Sequence, residues 1–243
     1  MAVDARIEAE TTPYAGADAF ALLGVPARLA AAIERAADRP TGLIAIAGPG
    51  SEDTATALHR RFVIPYAGVI VDRISANLAV EAADRGPAIA CFDSGDAVDT
   101  ILALRRLATD RFALAAAFRL VIAQRVVPGL CSECRRPVQA FGSRAALLGL
   151  DPGAILWSAP GCDSCGGEGQ GGLVRIFESV EVDPAMRRLI YDGADAPLLA
   201  RHAFLSAPNF ASAARALARD GVIAPEDAVA ASRNDLALRE SPR

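Results

Sequence analysis

The chain has 243 residues, of which 52% are hydrophobic and 22% charged, with a formal net charge of −4. This composition is typical of a well-packed globular protein, and the length suits one domain with a smaller appendage. The acidic balance argues against nucleic acid as a partner. No stretch has the roughly 18 apolar residues of a membrane span, and the first residues lack the apolar core of a signal peptide, so we expect a cytoplasmic chain without direct membrane insertion. All 25 basic residues are arginine, which excludes any function that needs a lysine ammonium.

The first half of the chain alternates short apolar runs with helical patterns. Residues 1–17 predict a loose leader, and residues 18–39 predict helices that break near Gly24 and Pro26. Short apolar runs predict buried strands at 42–47, 68–71 and 87–92. Helical periodicity predicts helices at 52–62, with Ser51 as N-cap, and at 75–84 and 96–108. This alternation predicts an α/β fold with a mostly parallel sheet.

The second half of the chain is organised differently. An apolar stretch predicts a buried helix at 112–126, closed by Pro128 and Gly129. Further elements are predicted as a short helix at 143–148, an alternating strand at 173–182, and a helical region at 184–231 that breaks at Gly193, Pro208 and Gly221. The predicted domains are a leader with N-terminal helices at 1–40, a core at 41–127, a cysteine module at 128–182 and a C-terminal helical region at 183–243.

Two CxxC pairs, Cys131 with Cys134 and Cys162 with Cys165, have the spacing of a structural zinc site. In a reducing compartment such pairs favour metal binding over disulfides, although buried thiols or disulfides are the alternative. Four thiolates close the coordination shell of Zn²⁺, so the predicted metal is structural and stabilises a loop-rich segment. The fifth cysteine, Cys91, lies in an apolar strand and is predicted to be a small core residue.

The segment that runs from the strand predicted at 42–47 into the helix predicted at 52–62 has the element order of a P-loop: a strand, a Gly-Pro-Gly turn, and a helix that contains Thr54. The functional motif is GxxxxGK[ST], in which Lys contacts the β- and γ-phosphates and Ser or Thr binds Mg²⁺. Counted from Gly48 the segment is one residue short, Asp53 replaces the Lys, and Glu52 replaces the second Gly. We therefore predict a vestigial nucleotide site formed by Gly48, Pro49, Gly50, Ser51, Asp53 and Thr54.

Several segments together resemble the ATPases of type II secretion and type IV pilus assembly. The most specific are 112–137, where an apolar stretch leads through Ala-Gln-Arg into the first cysteine pair, and 161–178, with the second pair, a Gly-rich turn and Ile-Phe-Glu. Segments 43–56, 78–97 and 194–229 resemble the family's Walker A region, histidine box and C-terminal helices. The resemblance covers roughly residues 20–230. It implies a RecA-like P-loop core, ring assembly at the cytoplasmic face of the inner membrane, and partners among secretion or pilus proteins.

The chain departs from that family where catalysis is carried out. The Walker A Lys is absent, and Asp93 stands near the place of the missing histidine. The stretch between Thr54 and Leu78 is too short for both the family's acidic strand and its Walker B strand with the catalytic Glu. Asp72 could be a remnant of either strand. The arginines of the family's N-terminal region are also expected to be missing, so no catalytic residue is assigned.

These departures predict a degenerate secretion ATPase with impaired or no ATP hydrolysis, in which ATP and Mg²⁺ are not functional ligands. Such a protein would act through protein contacts, alone or with a true ATPase homologue, as a homo- or hetero-oligomer peripheral to the inner membrane. One alternative is an active ATPase with an altered loop. Another is a zinc-stabilised scaffold or chaperone-like binding module, because residues 162–169 fit the pattern CxxCxGxG.

Overall fold

The structure is a computed structural model that describes residues 19–140, 146–151 and 153–233. The predicted leader at 1–17, the start of the predicted helix at 143–148 and residues 234–243 of the predicted C-terminal region lie outside the described residues. Within the described residues no helix has the length and apolar character needed to cross a membrane.

A five-stranded sheet forms the centre of the protein, in the order β2-β3-β1-β4-β7. The strand bounds are β1 Gly42–Ala47, β2 Tyr66–Ile70, β3 Pro87–Phe92, β4 Phe118–Leu130 and β7 Gln170–Glu181. The first four strands are parallel to one another, and β7 is antiparallel to β4. The predicted α/β class with a mostly parallel sheet is therefore confirmed.

Helices cover both faces of this sheet. In the first half of the chain they are α1 Ala19–Leu22, α2 Ala27–Ala37, α3 Ser51–Phe62, α4 Arg73–Arg85, α5 Ala97–Leu107 and α6 Arg111–Ala117. Every residue of β1 is buried, which explains why the strand is a continuous apolar run. Ile44 and Ile46 belong to the core cluster that contains residues of α2 and α3, and Leu43 and Ala45 to the cluster that contains residues of α4, α5 and α6.

The predicted buried helix at 112–126 is wrong from Phe118 onwards. Helix α6 ends at Ala117, and strand β4 begins at Phe118 and continues through Pro128 and Gly129 to Leu130. An apolar run that is buried on all sides has no periodicity that separates helix from strand, and the β-branched residues after Phe118 favour the strand. Strand β4 therefore crosses the predicted domain boundary at residue 128, and β7 joins the same sheet from within the predicted cysteine module.

Four helices follow β7, with the bounds α7 Pro184–Asp192, α8 Ala196–Ala203, α9 Phe210–Arg219 and α10 Pro225–Arg233. The predicted breaks at Gly193, Pro208 and Gly221 each fall between two of these helices, and this prediction is confirmed. The second sheet is a small antiparallel pair, β5 Arg136–Gln139 and β6 Ile155–Ser158, in the cysteine module.

A buried carboxylate fastens the C-terminal helices to the sheet. Glu178 of β7 is 4% exposed, and its two oxygens accept hydrogen bonds of 2.9 Å from the backbone N–H groups of Ala97 and Phe210, at the starts of α5 and α9. Arg125 of β4 lies over the ring of Phe210 at 3.9 Å and donates to the backbone oxygens of Gly95 and Ala231. Burial raises the pKa of Glu178 although both N–H donors favour its ionised form.

Candidate functional site

The first candidate site is the turn between β1 and α3, at the carboxyl end of the central strand. Gly48 and Gly50 have φ angles of 94° and 71°, in the region that favours glycine. A Cβ at Gly48 would lie 2.1 Å from the backbone oxygen of Gln124, so the turn approaches β4 too closely for any side chain. The prediction of Ser51 as N-cap is wrong, because Gly50 occupies the N-cap position in a left-handed conformation and Ser51 is already helical.

A single glutamine closes this turn from the side of β4. Thr54 is fully buried, and its hydroxyl donates a 2.7 Å hydrogen bond to Oε1 of Gln124. The amide nitrogen of Gln124 donates in turn to the backbone oxygen of Pro49, at 2.6 Å. In a working P-loop the corresponding hydroxyl binds Mg²⁺. In this protein the hydroxyl is bonded within the core and faces β4.

The start of α3 is occupied by acidic groups of the protein itself. Glu52 and Asp53 lie in the first turn, where the helix dipole stabilises negative charge. The Asp53 carboxylate pairs with Arg175 of β7 at 2.7 Å. The backbone N–H groups of Ser51 and Asp53 donate to the oxygens of Gly48 and Gly50, both at 3.2 Å. The N–H groups of Ser51 and Asp53 and the Arg175 guanidinium are thus already paired with atoms of the chain.

A cavity of about 400 Å³ lies beside the turn. Besides the turn and the start of α3, its lining includes Val69, Cys91, Phe92 and Asp93. Asp93, which sequence reasoning placed near the missing histidine, therefore faces the same cavity as Glu52 and Asp53. Strand β2 contributes Val69, whose apolar side chain cannot act as a general base. Three carboxylates in one cavity repel a triphosphate.

Asp72, the other acidic candidate, has a structural role at the start of α4. Its Oδ1 accepts a 2.8 Å hydrogen bond from the backbone N–H of Ser75, and the Ser75 hydroxyl accepts from the Asp72 N–H at 3.0 Å. This reciprocal capping box lowers the pKa of Asp72 because the N–H and hydroxyl donors favour its ionised form. Asp72 is not among the residues that line the cavity beside the turn.

The second candidate site is the cysteine cluster. The Sγ atoms of all four predicted ligands lie within 4.8 Å of one another. The closest sulfur–sulfur distances are 3.7 Å for Cys162–Cys165, 3.9 Å for Cys131–Cys162 and 4.0 Å for Cys134–Cys165. A tetrahedron with zinc–sulfur bonds of about 2.3 Å has edges of about 3.8 Å. The four cysteines, which are all unbridged, therefore have the arrangement of a closed four-thiolate metal site.

Backbone N–H groups surround one sulfur of the cluster. The N–H groups of Cys162 and Gly169 each donate to Sγ of Cys165 at 3.2 Å. These bonds lower the pKa of Cys165 to about 6, and the bond from Cys162 is the larger cause. Desolvation raises the pKa of Cys134 to about 12. Such N–H groups beside a metal-binding sulfur orient it and stabilise its negative charge.

The cysteine module packs against the C-terminal helices through an arginine and a tryptophan. The guanidinium of Arg135 lies 5.4 Å from the centre of the Trp157 ring and donates to the backbone oxygen of Gly221. The indole N–H of Trp157 donates to the backbone oxygen of Arg219 at 3.1 Å. A Cβ at Gly221 would lie 2.6 Å from the indole. A metal in the cluster would therefore also order a surface that contacts α9.

Sequence reasoning assigned no role to Gln124, Glu178 or Arg175. Gln124 and Glu178 lie within the two most specific segments of the resemblance. Each is a polar residue in a mostly apolar strand and is buried, which was the available signal for a structural partner. Arg175 offered no comparable signal, because its contact with Asp53 depends on the antiparallel pairing of β7 with β4.

The fold and the turn together are those of the RecA-like P-loop class of proteins. The ATPase DotB of Yersinia pseudotuberculosis has a similar structure, with a TM-score of 0.61 and 16% identity over 88% of this chain and 62% of that chain. The pilus retraction motor PilT with bound ADP gives a TM-score of 0.55 and 17% identity, over 90% of this chain and 69% of that chain. At this level of identity the likeness shows a shared fold.

The family within that class follows from the sequence comparison. The model of the family described as "Type II/IV secretion system protein" matches residues 64–230, and the chain belongs to this family. The type II secretion system protein E of Pseudomonas aeruginosa is 33% identical over 171 residues, which are 69% of this chain and 34% of the relative. The type IV pilus assembly ATPase PilB of Acinetobacter baylyi is 30% identical over 53% of this chain and 23% of its own length. The matched part is thus about a third or less of either relative.

Proposed function

We propose that this chain is a non-hydrolysing member of the secretion ATPase family, a pseudoenzyme that acts by protein contacts in a type II secretion or type IV pilus machine. The observation that carries the proposal is the closed turn: Gln124 holds both the Thr54 hydroxyl and the Pro49 carbonyl. Membership of the family supports a role in secretion or pilus assembly. The closed turn supports the loss of nucleotide binding and hydrolysis.

The electrostatics of the turn support the same proposal. Phosphoryl transfer in P-loop proteins depends on positioning and on neutralisation of the phosphate charge. Two like charges about 4 Å apart repel by about 1 kcal/mol in water and by about 4 kcal/mol at the effective dielectric near a protein surface. Glu52, Asp53 and Asp93 would each oppose a triphosphate in this cavity.

Relatives suggest where such a protein acts. The two relatives named above are proteins of type II secretion and type IV pilus assembly, and we infer that this chain acts in the same process. Association with itself or with an active ATPase homologue, at the cytoplasmic side of the inner membrane, is part of the proposal. Because members of the family assemble into rings, we propose that this chain and an active homologue associate as subunits of one ring.

The cysteine cluster is proposed to hold one structural Zn²⁺. Cys131, Cys134, Cys162 and Cys165 would supply all four ligands, and such a metal would contribute folding free energy to the module without taking part in chemistry. The tetrahedral spacing of the sulfurs and the N–H donors around Cys165 support this assignment.

One observation favours a second function, an active ATPase with a rearranged loop. Arg175 lies at the turn, and its Nη2 is 3.6 Å from the position of a Cβ at Gly50. If this guanidinium moved from Asp53 to a phosphate, it would supply the positive charge that the missing Lys provides elsewhere. This function requires Thr54 to leave Gln124.

Calorimetric titration with ATP, with and without Mg²⁺, together with a hydrolysis assay distinguishes the two functions. We expect neither binding nor turnover in the wild-type chain. Turnover that is lost in Thr54→Ala or Arg175→Ala would contradict the pseudoenzyme proposal and favour the active enzyme.

A repaired variant serves as the matched control. Glu52→Gly and Asp53→Lys, with one residue inserted between Pro49 and Gly50, restore the motif GxxxxGKT. We expect this variant to bind nucleotide while the wild-type chain does not. If binding returns without hydrolysis, the loss of catalysis extends beyond the turn, as Val69 in the cavity lining suggests.

A further inference from the structure

A surface groove lies between α6 and α7, at the end of the sheet opposite to the turn. It is next to the amino end of β4, which runs parallel to β1. Its volume of about 580 Å³ is within the range of ordinary ligand pockets. The apolar part of its lining includes Ala115, Ala116 and Pro184.

Two exposed aromatic side chains form part of this groove. Phe112 of α6 is 68% exposed and Tyr191 of α7 is 48% exposed. Their ring centres are 6.2 Å apart and the rings are nearly perpendicular, at 88°. Burial of exposed aromatic surface is favourable, so these rings offer a partner apolar area to cover.

The polar part of the groove is formed by arginines. One nitrogen of Arg119 donates to the backbone oxygens at the end of α6, and Nε of Arg187 donates to the Ala115 oxygen at 3.2 Å. These bonds hold both side chains in place. Arg188 also lines the groove and pairs with Asp192 at 2.6 Å.

The groove carries an excess of positive charge. Among the described residues no carboxylate forms an ion pair with Arg119 or Arg187. Burial lowers the pKa of Arg119, and the positive charges of Arg187 and Arg39 lower it further. This concentration of positive charge occurs in a chain whose net charge is −4. An anionic ligand would relieve the repulsion.

We propose that this groove binds a short acidic segment of a partner protein, with one aromatic or branched apolar side chain packed on the exposed surfaces of Phe112 and Tyr191 and flanking carboxylates on Arg119 and Arg187. An apolar centre with an arginine rim and exposed aromatic residues is the usual anatomy of a protein interface. A free phosphate would leave both rings exposed. The inference gives a location to the partner contact proposed above, and it rests on that proposal.

The test uses the full chain and a fluorescein-labelled acidic peptide with one central phenylalanine, measured by anisotropy. We expect binding that weakens as salt increases, because exposed charges are screened. A peptide with lysines in place of the acidic residues and inorganic phosphate are the comparison ligands. A peptide with alanine in place of the phenylalanine is expected to bind about tenfold more weakly, which corresponds to about 1.4 kcal/mol.

Variants assign the binding to the groove. Arg187→Glu and Phe112→Ala are both expected to weaken the acidic peptide about tenfold or more. Phe112 is mostly exposed, so its replacement is not expected to disturb folding. Arg201→Glu, an exposed arginine on α8 outside the groove, makes the same change of net charge and is expected to leave binding unchanged.

Three outcomes would overturn the inference: no binding of the acidic peptide, unchanged binding in both groove variants, or equal competition by inorganic phosphate. A nucleotide titration of the same protein separates this result from the proposed function. ATP turnover with peptide binding would refute the pseudoenzyme and leave the groove in place, whereas absence of both would refute the groove alone.

Discussion

The turn after β1 and the cysteine cluster differ in where their polar atoms are directed. In the turn, the Thr54 hydroxyl, the Asp53 carboxylate and the N–H groups of Ser51 and Asp53 are bonded to atoms of the same chain. In the cluster, four sulfurs face one another at the spacing of a tetrahedron. Polar groups that already form hydrogen bonds or ion pairs with one another do not need a ligand. Four adjacent cysteines without a metal must stay protonated, because four thiolates at this distance would repel one another. The comparison therefore supports both proposals, that the turn has lost nucleotide chemistry and that the cluster binds a metal.

Strand β7 connects the two regions. It begins at Gln170 beside the cysteine module, carries Arg175 to the turn, and reaches the buried Glu178 near its end. A change in one region can therefore be measured for its effect on the other.

The largest expected effect follows removal of the metal. Chelation, or Cys162→Ser, should unfold much of the segment from Cys131 to Gly169, because metal binding in small zinc modules supplies about 10–16 kcal/mol of folding free energy. Hydrogen exchange should show loss of protection in β5 and β6 and retained protection in β1 and β3. Cys91→Ser is the control, since Cys91 lies in β3 away from the cluster. Freshly purified protein without stoichiometric zinc would contradict the assignment.

The next largest effect is expected at Glu178. Glu178→Ala leaves the N–H groups of Ala97 and Phe210 without their buried acceptor, so we expect a loss of about 1–3 kcal/mol in the free energy of unfolding for each of the two donors. Denaturant titration measures this loss. A loss below about 1 kcal/mol would show that the C-terminal helices are held to the sheet by their apolar contacts alone.

The pH dependence of the same group has a definite sign. Because burial raises the pKa of Glu178 above its ordinary 4.5, its contribution to stability is full below about pH 4.5 and is lost as the pH rises through the folded-state pKa. The unfolding free energy of the wild type relative to Glu178→Gln should therefore fall as the pH rises above about 4.5, and it should become constant once the pH exceeds the folded-state pKa. A difference that is constant throughout would mean that the carboxyl group titrates normally in the folded protein.

A smaller effect is expected when the hydrogen bond between Thr54 and Gln124 is removed from the turn. Thr54→Val keeps the shape of the side chain but leaves Oε1 of Gln124 without its hydroxyl donor, which costs about 1–3 kcal/mol. Thermal unfolding measures the cost. Thr54→Ser, which retains the hydroxyl, is the control and is expected to lose less. If the two variants were equally destabilised, the hydrogen bond to Gln124 would contribute nothing to the closed turn.

The smallest effect is expected at the ion pair between Asp53 and Arg175. Asp53 is half exposed, so Asp53→Asn should change the free energy of unfolding by less than about 1 kcal/mol. The same substitution removes one of the carboxylates that oppose phosphate, and calorimetry with ATP checks whether binding appears. Measurable binding in Asp53→Asn alone would show that charge, more than the closed shape of the turn, excludes nucleotide.

The agreement between prediction and structure depends on how much local information each segment contains. Strands β1 and β3 match their predicted bounds, because each is a short apolar run bounded by glycine or proline. Strand β4 was predicted as a helix, because its burial on both faces hides the period that distinguishes the two structures. The capping of α4 by Asp72 was also missed, since the same acid could be interpreted as a catalytic remnant.

The sequence by itself determined the chemical inventory: no lysine anywhere, an acid at the lysine position of the P-loop, and two cysteine pairs with the spacing of one metal site. Only the tertiary structure decided that Thr54 bonds to Gln124, that Asp53 pairs with Arg175, and that Glu178 joins the starts of two helices. Residue type and short spacing are written in the chain, whereas these partners lie 70, 122 and 32–81 residues apart and meet only when the sheet orders its strands.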